Sequence, residues 1–156
     1  MPLFKAALGG LPFLLGQLDP TEPPIMFTPV HVVRDFYEHL ARGDFAAVLA
    51  LMAEDIEWTE AERFPYYSGT WRGPQAVLNN LLIPLSRDWS DFAAKAHEYI
   101  ADGNRVVALG TYSGIYKATG KSTTADFANI WTVRANKLQT FHMHTDTAKV
   151  LEAMSK

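Results

Sequence analysis

Glu60 and Glu62 stand in the stretch Trp58-Thr-Glu-Ala-Glu-Arg-Phe-Pro-Tyr-Tyr-Ser-Gly-Thr-Trp-Arg-Gly-Pro74, among Trp58, Phe64, Tyr66, Tyr67 and Trp71. Carboxylates are usually kept in water. Aromatic surroundings disfavour the charged form and push a carboxyl pKa towards neutrality. A carboxyl group in that range can take up a proton and return it. The two acids are at i, i+2 spacing, so a strand through both puts them on one face. One would then be the base, and the other would tune it by like-charge coupling. The alternative leaves Glu60 at a solvated rim and Glu62 in a loop, paired with Arg63 or Arg72.

Other residues could join such a site. Trp58, Tyr66, Trp71, Tyr112, Phe127, Trp131, Phe141 and Met143 are candidate lining residues for an apolar pocket. Asn129 is in strand phase with Phe127 and Trp131, and a buried amide there needs hydrogen-bond partners from the protein or a ligand. His97 and Tyr99 share a strand face and could approach the pocket. His142, His144 and Asp146 form His-x-His-x-Asp, a spacing that could hold a metal. The same alternation turns Phe141 and Met143 to the opposite face, towards the pocket. That leaves the histidines facing solvent or a second subunit, and no metal site is expected. His31 and His39 read as solvated.

The elements that must position these residues follow from turn and cap signals. Thr28-Pro29 starts a helix carrying Val33, Phe36, Tyr37 and Leu40. Gly43 stops it, and Asp44 caps a second helix with Phe45, Val48, Leu49 and Met52. Asp55 to Glu60 reads as a strand. Gly73-Pro74 opens a third helix with Val77, Leu78, Leu81 and Leu82, which Pro84 ends or kinks. Strands are predicted at Phe92–Ala101, Arg105–Tyr116, Thr123–Val133 and Leu138–Asp146. Turns at Asp102-Gly103-Asn104, Thr119-Gly120-Lys121 and Ala135-Asn136-Lys137 join them. A short closing helix carries Ala148, Val150, Leu151 and Met154. Helices followed by a long antiparallel sheet make an α+β fold. A strongly curved sheet wrapped on helices is a cone, with its interior as the natural pocket.

With 156 residues the chain is one domain with a sizeable core. Its formal net charge is -3 and no Lys/Arg stripe runs through it, which argues against nucleic-acid binding. Without cysteine there are no disulfides, thiol nucleophiles or Cys-ligated zinc. Residues 1–27 form an apolar, Pro-rich extension too short to span a membrane. It is expected to dock on a partner subunit or the outer sheet rather than act as a lid. A cytoplasmic location is expected over a signal peptide.

The chain resembles the NTF2-like (nuclear transport factor 2-like) superfamily, and more narrowly its SnoaL-like and ketosteroid-isomerase-like members. The resemblance covers residues 28–156. It rests on Phe36-Tyr-Glu-His-Leu-Ala-Arg-Gly-Asp44, Leu51-Met-Ala-Glu-Asp-Ile-Glu-Trp58, Phe64-Pro-Tyr-Tyr-Ser-Gly-Thr-Trp-Arg-Gly-Pro74, Asp102-Gly-Asn-Arg-Val-Val107 and Thr145-Asp-Thr-Ala148. It implies an NTF2-like cone, with N-terminal helices packed in a strongly curved antiparallel sheet. It also implies a homodimer through the outer sheet face, near Tyr116, His142 and His144.

Residue by residue, the resemblance places Glu60 where steroid isomerases keep their carboxylate base. The oxyanion-hole tyrosine position holds Phe36, with Tyr37 one step round the helix, and the acid position holds Asn129. In those enzymes a tyrosine and a protonated acid form the oxyanion hole beside the base. SnoaL-type polyketide cyclases carry an Asp and a His at the positions of Met143 and Asn129, so that chemistry lacks both groups here. The Asp–Arg–Asp set of epoxide-hydrolase-like members is not matched, since Asp126 and Arg134 fall out of phase.

Two functions follow. One is a cofactor-free enzyme that moves a proton on a small hydrophobic carbonyl compound, with Glu60 as base. Asn129 would donate to the enolate, helped by Tyr37 or Tyr112. Glu60→Gln would then abolish activity with thermal stability nearly unchanged. The other is a non-catalytic module that binds a small ligand or dimerises through the same fold.

Overall fold

The computed structural model describes residues 27–156, so the N-terminal extension lies outside the described residues. Helix α1 (Pro29–Ala41) opens at Thr28, whose hydroxyl accepts from the backbone N–H of His31. Pro29 sits in the first turn, where a missing N–H is harmless. Val32, Val33, Phe36 and Tyr37 recur at helical spacing and form the buried face. Asp44 caps α2 (Phe45–Ala50), accepting from the N–H of Ala47 at 3.0 Å.

Gly73 leads into α3 (Pro74–Val77). The helix does not end at Pro84. It widens to a π-helical turn over Leu78–Leu82 and continues as α4 (Ile83–Asp88). Pro84 has no N–H, and in α-helical register its ring crowds the carbonyl four residues back. A wider turn relieves that crowding. The expected break is therefore a change of pitch, and Leu81, Leu82 and Leu85 stay buried together.

A six-stranded sheet of order β2-β1-β6-β5-β4-β3 wraps these helices. Its strands are β1 (Met52–Thr59), β2 (Thr70–Arg72), β3 (Trp89–Asp102), β4 (Arg105–Tyr116), β5 (Ser122–Arg134) and β6 (Lys137–His142). The hairpins from β3 to β6 are antiparallel, as their turn residues predict. The β5–β6 turn has φ of 49° at Ala135 and 58° at Asn136, the double left-handed geometry that suits the twist of a hairpin. Two features were not foreseen. The aromatic loop contains β2, an edge strand paired with β1. And β1 pairs in parallel with β6, so the first and last long segments meet.

Residues alternate inward and outward along β5, with Thr123, Ala125, Phe127, Asn129, Trp131 and Val133 buried. Cross-strand register sets Trp71, Trp58, Phe141 and Trp131 in one row. The rings of Trp58 and Phe141 stack with centroids 3.9 Å apart, and Trp131 lies 4.5 Å from Phe141. Strand β3 breaks the alternation twice, with bulges between Ser90 and Ala93 and between Ala96 and Glu98. Asp91, in the first bulge, has a φ of 53°.

Helix α5 (Thr147–Met154) closes the chain. Its cap is Asp146, whose carboxylate accepts from the N–H of Lys149. The His-x-His-x-Asp run is thus split between a strand end, a link and a helix cap, because β6 stops at His142 rather than at Asp146. His142 and His144 are exposed, with ring centroids 4.6 Å apart. No group of three or more potential metal ligands occurs among the described residues. Nor is any described helix long and apolar enough to cross a membrane.

Candidate functional site inside the cone

The cone encloses a cavity of about 470 Å³. Its walls come from α1, the π-helical turn and α4, the start of β3, and the inner face of the sheet. Gly43, Ser86, Asp91 and Lys95 line it and are exposed, so they mark its mouth. Glu60, Asn129, Tyr37 and Tyr112 line it and are buried, which places its polar end inside. Between these ends the wall is almost wholly apolar, including Phe36, Trp58, Phe92 and Phe141.

Glu60 follows the last residue of β1 and keeps the inward phase of Ile56 and Trp58. It is 1% exposed. Trp58 Nε1 donates to Glu60 Oε1 at 2.5 Å, and Oε2 has no partner among the described residues. Burial pushes the Glu60 pKa from 4.5 up to about 8, with the Trp58 hydrogen bond pulling weakly the other way. Trp58→Phe removes that pull without emptying the wall. The Glu60 titration is expected to move further up, which pH-dependent NMR of the carboxyl carbon would record.

Asn129 is the hub of the second group. Its Nδ2 donates to Tyr37 Oη at 3.0 Å and to Tyr112 Oη at 2.7 Å. Trp131 Nε1 also donates to Tyr37 Oη, at 3.2 Å. Both N–H bonds of the amide are therefore used, and Oδ1 is buried without a partner among the described residues. This changes the expected role of Asn129. It has no N–H left for an enolate, and the free donors are the hydroxyl protons of the two tyrosines. Burial holds both tyrosines well above their ordinary pKa, and the charge of Glu60 adds to this. They remain O–H donors at any physiological pH.

Of the residues singled out from sequence, Glu60, Asn129, Tyr37, Trp58, Tyr112, Phe141 and Met143 come together on the cavity wall. Glu62 does not. The strand ends at Thr59, Phe64 N–H bonds back to the Ala61 carbonyl, and Arg63 takes a φ of 68°. That turn breaks the i, i+2 phase and leaves Glu62 exposed. Phe127 and Trp131 are buried behind the tyrosines rather than on the wall. Trp71 packs in the core from the edge strand. The Tyr66 hydroxyl donates to Asp88 and accepts from Trp89 Nε1, so it ties the aromatic loop to the end of α4. His97 is exposed, and Tyr99 lies beneath Arg34 and beside Tyr37, outside the cavity.

Sequence reasoning missed Leu81, Leu82, Leu85, Trp89 and Phe92 as lining residues. Leu81 and Leu82 were visible as a helical face, whereas Leu85 lies past Pro84, where the helix was expected to end or kink. Trp89 and Phe92 were not, because the bulge at Asp91 brings residues of opposite parity to the same side.

Residues 33–141 match the SnoaL-like domain family, and the chain belongs to it. Solved structures agree. An NTF2-like protein from Burkholderia thailandensis is 37% identical, with a TM-score of 0.80 over 84% of this chain and 100% of that one. An NTF2-like protein from Burkholderia xenovorans is 30% identical, with a TM-score of 0.70 over 81% of this chain and 95% of that one. TerC, co-crystallised with polyporic acid, shares the fold at 24% identity, with a TM-score of 0.73 over 82% of this chain and 98% of that one. None of the curated proteins matches the chain.

Proposed function

We propose that the protein is a cofactor-free acid/base enzyme that moves a proton on a small hydrophobic carbonyl compound held in the cone. One observation carries this reading. A buried carboxyl group, with one oxygen held by Trp58 and the other unpartnered, shares an apolar cavity with two tyrosine hydroxyls whose protons are uncommitted. In the reaction, ionised Glu60 takes a proton from the carbon beside the carbonyl. The C–H electron pair moves into the carbonyl, and the resulting oxyanion accepts from Tyr37 or Tyr112. Glu60 then returns the proton at another carbon, as in isomerase-like chemistry, or the enolate carbon attacks a second carbonyl carbon of the same molecule, whose C=O π pair moves to its oxygen and takes the proton from Glu60, as in cyclase-like chemistry. That TerC, a protein of this fold, was co-crystallised with polyporic acid is in keeping with a small-molecule ligand.

The test is hydrogen exchange with solvent. Wild-type protein is incubated in D2O with 2-tetralone, and deuterium at the carbon beside the carbonyl is followed by NMR. Exchange above the buffer rate is expected. It should rise with pH and level off above about 8, where Glu60 is ionised. Tyr112→Phe should slow it by about 10²-fold, the usual scale for losing one oxyanion donor. Binding of 2-tetralone without any exchange would instead favour a ligand-binding module.

We also propose that the chain forms a homodimer through its outer sheet face, near His142 and His144; Tyr116, expected there too, has the inward phase of Tyr112 and Gly114 and packs on Trp89. The motivation is the outward phase of His142 and the half-buried Leu109 and Ile130 on the same face. Light scattering is expected to give twice the chain mass, and a monomer at high concentration would refute the assembly.

A further inference from the structure

We propose that the ligand of this cavity carries a hydroxyl group, enolic or phenolic, that donates to Asn129 Oδ1, so that Asn129 selects hydroxylated compounds over plain ketones and ethers. The inference deepens the proposed function, since it rests on the same cavity being a ligand site.

A carboxamide offers two N–H donors and one acceptor oxygen. Both donors of Asn129 are consumed by Tyr37 and Tyr112. The acceptor oxygen is buried and has no partner. A buried acceptor left unmatched is unfavourable, and native interiors rarely leave one. Tyr37 and Tyr112 do not remedy this, because their hydroxyls sit at Nδ2 and neither makes a hydrogen bond to Oδ1. Trp131 Nε1 is committed to Tyr37. Among the described residues, then, nothing donates to Oδ1, and a ligand in the cavity is the donor assigned here.

The same group supplies the other half of the match. Tyr37 and Tyr112 each keep one proton to donate. A ligand hydroxyl fits both needs with one atom: its oxygen accepts from a tyrosine and its proton goes to Asn129. A carbonyl or ether oxygen fits only the first. It leaves Oδ1 unmatched and moves it further from water. Sites built around a buried polar partner discriminate strongly against analogues that lack the matching group.

Binding can be measured without turnover, using 2-naphthol and 2-methoxynaphthalene as probes. They share a ring system and differ in the O–H donor. By calorimetry or by quenching of tryptophan fluorescence, 2-naphthol is expected to bind wild-type protein at least about tenfold more tightly. Asn129→Leu should erase the difference, mainly by weakening 2-naphthol. That variant removes a hub and could fail to fold, so Asn129→Asp provides a second arm. It keeps the volume and an acceptor oxygen, and the preference for 2-naphthol should persist. Glu60→Gln should also keep the preference, which separates Asn129 from the carboxyl group as the selecting acceptor.

Equal binding of the two probes by wild-type protein would overturn the proposal. So would a preference that survives in Asn129→Leu or vanishes in Glu60→Gln. Tighter binding of 2-methoxynaphthalene would show the amide turned the other way, with its nitrogen towards the ligand. Failure of both probes to bind would remove the cavity reading and this inference together. A hydroxyl preference without deuterium exchange into 2-tetralone would leave this inference standing and overturn only the proton-transfer reading.

Discussion

Glu60→Gln is expected to stabilise the protein while removing the proposed proton transfer. The carboxyl group is buried and titrates near 8 in the folded chain, against 4.5 when unperturbed. The folded-state value is raised, so the unfolded chain releases its proton first as pH rises. Stability therefore falls between about 4.5 and about 8 and is level above that range. The full gap corresponds to at most about 5 kcal/mol, since each pKa unit is about 1.4 kcal/mol. Glutamine has no proton to lose and can still accept from Trp58. Its melting temperature should exceed that of the wild type by about 5–10 °C at pH 8, with little difference at pH 4. Exchange into 2-tetralone should fall about 10²–10⁴-fold, the range for a positioned acid/base group. Sequence reasoning expected this substitution to leave stability nearly unchanged. The complete burial of Glu60 is what alters that expectation. Equal melting curves at pH 8 would mean that the carboxyl group is solvated in solution.

Gly110→Ala should be among the most damaging single changes in the chain. Gly110 lies on the inner face of β4, opposite Ala96 and Phe127. A Cβ there would come within 2.2 Å of the Lys95 carbonyl oxygen, 2.4 Å of Phe127 Cζ and 2.8 Å of Ala96 Cα. Two of those atoms are backbone, at the bulge that bends β3 over its neighbour, so a side-chain rotation cannot clear them. The sheet must flatten or the bulge must shift. Overpacking of a core typically costs about 1–3 kcal/mol, and a backbone clash belongs at or beyond the upper end. A loss of about 3–5 kcal/mol is expected, read as a drop in the urea midpoint. By contrast, Gly114→Ala meets Trp89 and Phe92 only at 3.3–3.4 Å and should be much milder. Similar midpoints for the two variants would refute the role assigned to Gly110.

Much of this was legible in the sequence because turns and caps are local. Thr28-Pro29, Asp44 and Asp102-Gly103-Asn104 specify their elements with a few neighbouring residues. Glu60 was also legible, through the aromatic residues around it. What could not be read depends on distant partners. The three residues of β2 become a strand only because β1 lies beside them. The placement of Trp89 and Phe92 depends on a bulge that no residue type announces. The commitment of both Asn129 donors needs Tyr37, which is 92 positions away in the chain. Glu62 misled for the opposite reason. Its spacing was right for a strand, but the strand had already ended.

The parallel pairing of β1 with β6 has a consequence for how the chain is made. β1 is complete at Thr59, while its partner begins at Lys137. A ribosome adding about 5–20 residues per second needs roughly 4–16 s to cover that interval. Throughout that time β1 has only the short β2 to pair with, and Trp58 lacks the ring of Phe141. The nascent Glu60 remains in water, where it is an ordinary ionised acid. Its unusual proton affinity arises only when the last strand slides in beside the first. The site is thus a property of the finished chain, and a transcript cut short before β6 yields a carboxylate with no chemistry of its own.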